Sequence, residues 1–334
     1  MAEKRDKQRD GGEDIRSIQF NERPGELPYN ASEVVGLADS RFLFCDNNIS
    51  EALFEIQFTP EGTLAGPLVH HPIRGVRPEA IDDLECMALA EVDGTRLLFV
   101  SSSLCLKKMK TKKTKKKKEA KAIKKNRKGK LSAARESLIR VRMVGTVPEA
   151  EIIPCFRYWL IENAPILGKS PNLVPDDGGL NIEGLAWDPN QNALVFGLRT
   201  PVKDGRPLIL RVRIKDPTGI WNLSNLEMLP PVTLAIEGAN GSQGIRTIEH
   251  DPSRGVFLVV IGNAVSHTKS PFTLYSWDGN AEGIVKRFKH VSFHEKMKPE
   301  GITHGTIGGR GVIMFVDDAG GYQFLWDDDT RLQE

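Results

Sequence analysis

A chain of 334 residues, 40% apolar and 27% charged, has the balance of a globular protein and is long enough for one large domain or two ordinary ones. No apolar run approaches the ~18–20 residues of a membrane-crossing helix, which excludes a helical span. Residues 1–14 are polar with no apolar segment behind them, so no secretory signal is read. The expectation is a disordered tail over 1–14 and a cytoplasmic, monomeric body over 15–334.

In chain order, the first apolar strand, 15–20, stands alone. Five similar units follow. Each opens on a polar residue and a short apolar strand, turns, and returns in a stronger apolar strand: 32–35 to 41–45, 83–87 to 96–100, 181–185 to 193–198, 244–248 to 256–261 and 298–302 to 312–316. Pairs such as Asp39-Ser40, Asp93-Gly94 and Gly308-Gly309 separate the two strands, which reads as antiparallel hairpins. A third strand follows each hairpin, at 52–58, 137–143, 208–214, 272–277 and 322–326, and a fourth is predicted at 64–73, 150–160, 227–236 and 285–293. The fifth unit ends after its third strand. Four-stranded units repeating every ~40–50 residues are the signature of propeller blades. The prediction is all-β: a β-propeller of five four-stranded blades, its ring closed by the N-terminal strand 15–20.

The net charge of +2 conceals an asymmetry. Residues 107–130 hold fourteen lysines and one arginine against Glu119 alone, a local charge of +14, which leaves −12 for the rest of the chain. The run falls between the second and third strands of the second unit. A like-charged run repels itself and stays solvated, so a disordered insertion is expected over 106–136. Lys112, Lys113, Lys115, Lys116, Lys117 and Lys118 form its densest part. They are the candidates for non-specific binding of nucleic acid or another polyanion, and the run has no aromatic residue to stack on bases. Cys45, Cys86, Cys105 and Cys155 sit singly in apolar surroundings and read as reduced, buried packing residues. The seven histidines show no zinc-site spacing. Neither a phosphate-binding glycine loop nor a nucleophile elbow is present, so no nucleotide cofactor is indicated.

The innermost strand of a propeller blade lines the central channel. Aligning the five units places Glu33, Glu85, Glu183, Arg246 and Glu300 at one level of that strand. The second strand ends beside them and brings Arg199, Asn263 and Asp317 to the same face. Four converging carboxylates raise one another's pKa. A hard cation such as Ca²⁺ or Mg²⁺ on Glu183, Glu300 and Asp317 would relieve that repulsion. Equally, the glutamates could be hydrogen-bond acceptors that organise strand ends, with Arg199 and Arg246 pairing them or holding an anionic small molecule.

Asn181-Ile182-Glu183-Gly184-Leu185 and Pro299-Glu300-Gly301-Ile302 resemble the Glu-Gly-Leu/Ile blade motif of a bacterial propeller family catalogued as a domain of unknown function. The likeness covers roughly 15–326 without the insertion. More distantly, the motif is similar to that of phytase-like esterases and gluconolactonase-type propellers. The lactonase resemblance implies a divalent metal on Glu183 or Glu300. Five units in place of the lactonases' six, and Arg246 among the glutamates, depart from it. Two functional readings result. One is a divalent-cation-dependent hydrolase of a phosphoester or other anionic small substrate. The other is a non-catalytic binding platform for a protein or polyanion, using the same face and the lysine-rich loop.

Overall fold

Tight turns set the register of the inner hairpins. Ser40 (φ 60°), Asp93 (φ 50°) and Gly308 (φ 57°) take the left-handed conformation, and Gly94 and Gly309 continue it, as two-residue turns between twisted strands require. The computed structural model describes residues 14–20, 29–77, 80–108, 129–144, 147–239, 241–267 and 270–332. Strand β1 (Ile18–Gln19) precedes blade 1, which is β2 (Ala31–Ala38), β3 (Arg41–Asp46), β4 (Ala52–Gln57) and β5 (Val69–Pro72). Blade 2 opens with β6 (Leu84–Val92) and β7 (Thr95–Ser102). After a small ladder of β8 (Lys107–Lys108) and β9 (Gly129–Lys130), β10 (Leu138–Val144) and β11 (Val147–Ile153) complete it. Blade 3 is β12 (Asn181–Asp188), β13 (Ala193–Lys203), β14 (Arg206–Ile214) and β15 (Leu226–Thr233). Blade 4 is β16 (Gln243–Asp251), β17 (Val256–Asn263), β18 (Thr273–Trp277) and β19 (Val285–Arg287). Blade 5 has β20 (Pro299–Ile307), β21 (Arg310–Asp317) and β22 (Gly321–Trp326), and β1 takes its outer place.

The fold is therefore the predicted five-bladed propeller, closed by the N-terminal strand. Ile18 pairs with Tyr322 and Gln19 with Gly321. Phe20 is buried and stacks on Phe44 of blade 1 (5.1 Å) and Tyr322 of blade 5 (5.5 Å), so the closing segment packs against both sides of the seam. The backbone of Ile15 bonds to Ser292 and His294 at 2.8 and 2.9 Å.

The core is five apolar layers, one between each pair of neighbouring blades. At the channel, close packing explains the glycine of the Glu-Gly motif. A Cβ on Gly301 would lie 2.8 Å from Glu33 Cα and Val34 N of blade 1, and one on Gly184 would lie 2.9 Å from Ile248 N of blade 4. Both collisions are with backbone, which cannot yield without shifting a blade.

Two expectations change. The predicted strand 150–160 ends at Ile153, and helix α1 (Phe156–Asn163) follows. Phe156 and Leu160, four residues apart, both enter the layer between blades 2 and 3, so this apolar spacing belongs to a helix. Cys155, which precedes α1, is exposed, whereas Cys45, Cys86 and Cys105 are buried free thiols. The second change narrows the insertion. Its lysines Lys112, Lys113, Lys115, Lys116, Lys117 and Lys118 lie outside the described residues, but its root is ordered. Lys107 pairs with Lys130, and buried Arg135 reaches Asp82 at 3.0 Å and Asp83 at 2.7 Å. Those ion pairs hold 129–136 against the body of blade 2. Of the expected tail, residues 1–13 lie outside the described residues, and Asp14 accepts a hydrogen bond from Ser292. No helix of the described residues is long and apolar enough to cross a membrane.

Candidate functional site at the channel mouth

Every innermost strand carries a bulge at the same end of the channel. Pairing between first and second strands skips Ser32 in β2, Glu85 in β6, Glu183 in β12, Arg246 in β16 and Glu300 in β20. A bulge bends the strand and re-aims the extra side chain. These five side chains line one cavity of about 310 Å³ at the channel mouth. The second strands and the segments beside them add Asn47, Arg199, Asn263, Ser266, Phe272 and Asp318, and Lys298 stands before β20.

The structure brings Glu85, Glu183, Arg246 and Glu300 together at the mouth, whereas in blade 1 the equivalent place falls one residue before Glu33. Ser32, not Glu33, occupies the bulge, and a one-residue slip sends a side chain the other way. Glu33 points along the channel, where it accepts hydrogen bonds from Thr247 Oγ1 (2.9 and 3.0 Å) and Ile302 N (3.1 Å). It joins blades 1, 4 and 5, the role of a structural acceptor. Burial pushes its carboxyl well above the usual range, Glu249 adds to this, and the hydrogen bonds oppose it. Asp317 is likewise outside the cavity. Its Oδ1 accepts from Ala319 N at 2.8 Å and shapes the turn after β21, while its neighbour Asp318 lines the mouth, 3.2 Å from Lys298 Nζ.

The floor is an ion cluster across blades 3, 4 and 5. Arg246 Nη1 lies 2.8 Å from Glu183 Oε2, and Nη2 donates to Glu300 Oε1. Glu183 Oε1 also accepts from Arg199 Nη1 (2.7 Å) and Asn181 Nδ2 (2.9 Å). Arg199 is held in turn by Nε donating to the carbonyls of Asn263 (3.0 Å) and Ala264 (3.2 Å). The contact of Arg246 with Glu183 is an ion pair off hydrogen-bond alignment. Glu183 Oε2 and Arg246 Nε, like Asp317 Oδ2 outside the cavity, have no hydrogen-bond partner among the described residues. Buried groups left under-bonded are exceptional and mark sites with another role.

Electrostatics divide the carboxyls. Burial raises Glu300 to about 8, with Glu183 and Asp318 reinforcing the shift and Arg246 opposing it. Burial also lifts Glu85 well above the usual range, helped by Asp83, Glu183 and Glu300. For Arg246, burial works against the charge, but Glu183 and Glu300 outweigh it and hold the guanidinium protonated. Of the carboxyls at the mouth, burial therefore drives Glu300 and Glu85 toward the neutral form.

The donor set does not fit a divalent cation on Glu183, Glu300 and Asp317. The Arg246 guanidinium stands between the first two, and Asp317 lies outside the cavity with its Oδ1 held by the turn. Among the described residues, no group of three or more His, Cys, Asp or Glu side chains is arranged to hold a metal ion. The bulges, and with them Ser32 and the flanking Lys298, Ser266 and Phe272, escaped sequence reasoning. Apolar periodicity carries no signal for a single unpaired residue.

Residues 159–309 match DUF3616, described as a protein of unknown function. The DUF3616 match takes in Glu183, Arg199, Arg246 and Glu300, the whole floor cluster, and leaves out blade 1, all four strands of blade 2 and β1, β21 and β22 of blade 5. No curated protein matches the chain. Among solved structures, the major allergen Mala s 1 of Malassezia sympodialis is 10% identical over 90% of this chain and 94% of that one, with a TM-score of 0.47. An alpha-L-arabinofuranosidase from Lactobacillus brevis is 9% identical over 90% and 92%, with a TM-score of 0.48. Likeness of this grade carries no argument about activity.

Proposed function

We propose that the channel mouth is a site for a small anionic molecule, with Glu300 as its acid–base group. The observation that carries this reading is the buried Glu183–Arg246–Glu300 cluster on the floor of a metabolite-sized polar cavity. Arg199, fixed through Glu183 and two carbonyls, offers a pre-set guanidinium to an anionic group, and Lys298 offers a second cation at the rim. A carboxyl with a pKa of about 8 is protonated at neutral pH and can give that proton to a leaving group. The substrate class is then a small anionic ester, a phosphoester included. Arg246 supplies the charge that a metal was expected to bring.

The test is turnover on a panel of small phosphoesters and carboxylic esters, in chelator and again in millimolar Ca²⁺ or Mg²⁺. Expected is turnover in chelator that falls by about 10²–10⁴-fold in Glu300→Gln, the span of a lost general acid. Turnover only with added cation would restore the metal-dependent hydrolase. Binding without turnover would leave a non-catalytic site.

One observation favours the second reading, a polyanion platform. The root of the +14 insertion, at Lys107 and Lys130, leaves blade 2 between β7 and β10. β7 ends at the channel mouth beside Glu85, so the chain leads into the lysine run from the cavity's end of blade 2.

A further inference from the structure

We propose that the channel mouth binds a singly charged oxyanion together with a proton. This rests on the small-anion reading above and specifies its charge and its regulation. The cations facing the cavity are Arg199 of blade 3, Arg246 of blade 4 and Lys298 before blade 5. The carboxyls are Glu85 of blade 2, with Asp83 behind it, Glu183 of blade 3, and Glu300 and Asp318 of blade 5. Blade 1 brings only the neutral Ser32 and Asn47.

Four ionised carboxylates against three cations would leave the lining with one negative charge, and an incoming anion would be repelled. Among the described residues, Arg246 is the only cation in contact with Glu300 and one of two on Glu183, and it cannot neutralise both. The two carboxyls driven toward the neutral form are Glu300 and Glu85, through burial and their acidic neighbours. With both protonated, three cations face two carboxylates among the described residues, and one positive charge remains. A single negative charge on the ligand balances it, whereas a dianion reverses the sign.

A neutral carboxyl also donates an O–H that a carboxylate cannot, and an anion is the acceptor it suits. An anion placed beside Glu300 raises that pKa further, as any like charge does. By linkage, protonation must then strengthen anion binding by the same factor. The floor's under-bonded Arg246 Nε agrees with a cluster that has a donor left for an anion.

Three probes of fixed charge test the idea: acetate, dimethyl phosphate and sulfate. Their affinities are measured by NMR titration from about pH 6.5 to about pH 9.5, and calorimetry in two buffers of different ionisation heat counts the protons taken up. Expected is proton uptake on binding and a fall in monoanion affinity approaching tenfold per pH unit above about pH 8. Sulfate should bind more weakly than the monoanions, and acetate against dimethyl phosphate shows whether carboxylate or phosphodiester is preferred. Glu300→Gln, a neutral isostere of the protonated form, should hold its affinity to higher pH. Affinity independent of pH with no proton uptake, or sulfate bound most tightly, would overturn the proposal while leaving the small-anion site standing. If no probe binds at any pH, the small-anion reading fails and the proposal with it.

Discussion

Replacing Glu300 by Gln isolates the energetics of the buried cluster. Glu300 is buried across from Arg246, and its pKa is raised from 4.5 to about 8, burial being the largest cause. A folded-state pKa above the unfolded one means that the fold favours the protonated carboxyl. The stability this group contributes is full below about pH 4.5 and is lost as pH rises through about 8. Each pH unit between those limits costs about 1.4 kcal/mol, so wild type should lose roughly 3 kcal/mol between about pH 6 and about pH 8 from this residue alone. In Glu300→Gln the amide oxygen still accepts from Arg246, and no proton is gained or lost. The two proteins should be of similar stability near pH 4.5, and the variant should be the steadier by about 2 kcal/mol at pH 6 and by more above pH 8. Urea unfolding at half-unit pH intervals reads the difference directly, and the other raised carboxyls, Glu33, Glu85 and Glu249, are common to both proteins. Parallel stability–pH curves would show that Glu300 is ionised throughout, which would refute both the electrostatic account of the cluster and its role as a proton donor.

Ring closure and the insertion give two further tests. Deleting residues 1–21 removes β1 with buried Ile15 and Phe20, each worth about 1.5–3 kcal/mol of burial, so the midpoint of urea unfolding should fall sharply; deleting residues 1–10 should leave it in place, and equal midpoints would contradict closure by β1. Replacing residues 109–128 with a short Gly/Ser linker, which keeps the Lys107–Lys130 ladder and Arg135, should leave the melting temperature nearly unchanged and abolish salt-sensitive retention on heparin. Retention that survives the replacement would remove the lysine run as the polyanion site.

The repeat was legible in the sequence because blades are built from local signals. Alternating apolar strands, two-residue turns such as Asp93-Gly94, and an unpaired strand at 15–20 suffice to specify five sheets and a closed ring. The same local signals placed Glu85, Glu183, Arg246 and Glu300 at one level of the channel. They could not distinguish Ser32 from Glu33, because a bulge is a mismatch between two strands and appears only once both are paired. Nor could they separate Asp317 from Asp318, where a turn hydrogen bond claims one and frees the other for the mouth. Tertiary structure also decided what the charges do. In sequence, Arg246 is a departure from a run of glutamates. In the ring it lies 2.8 Å from Glu183 and against Glu300, residues that are 63 and 54 positions away along the chain, and burial in that shared space sets which carboxyl keeps its proton.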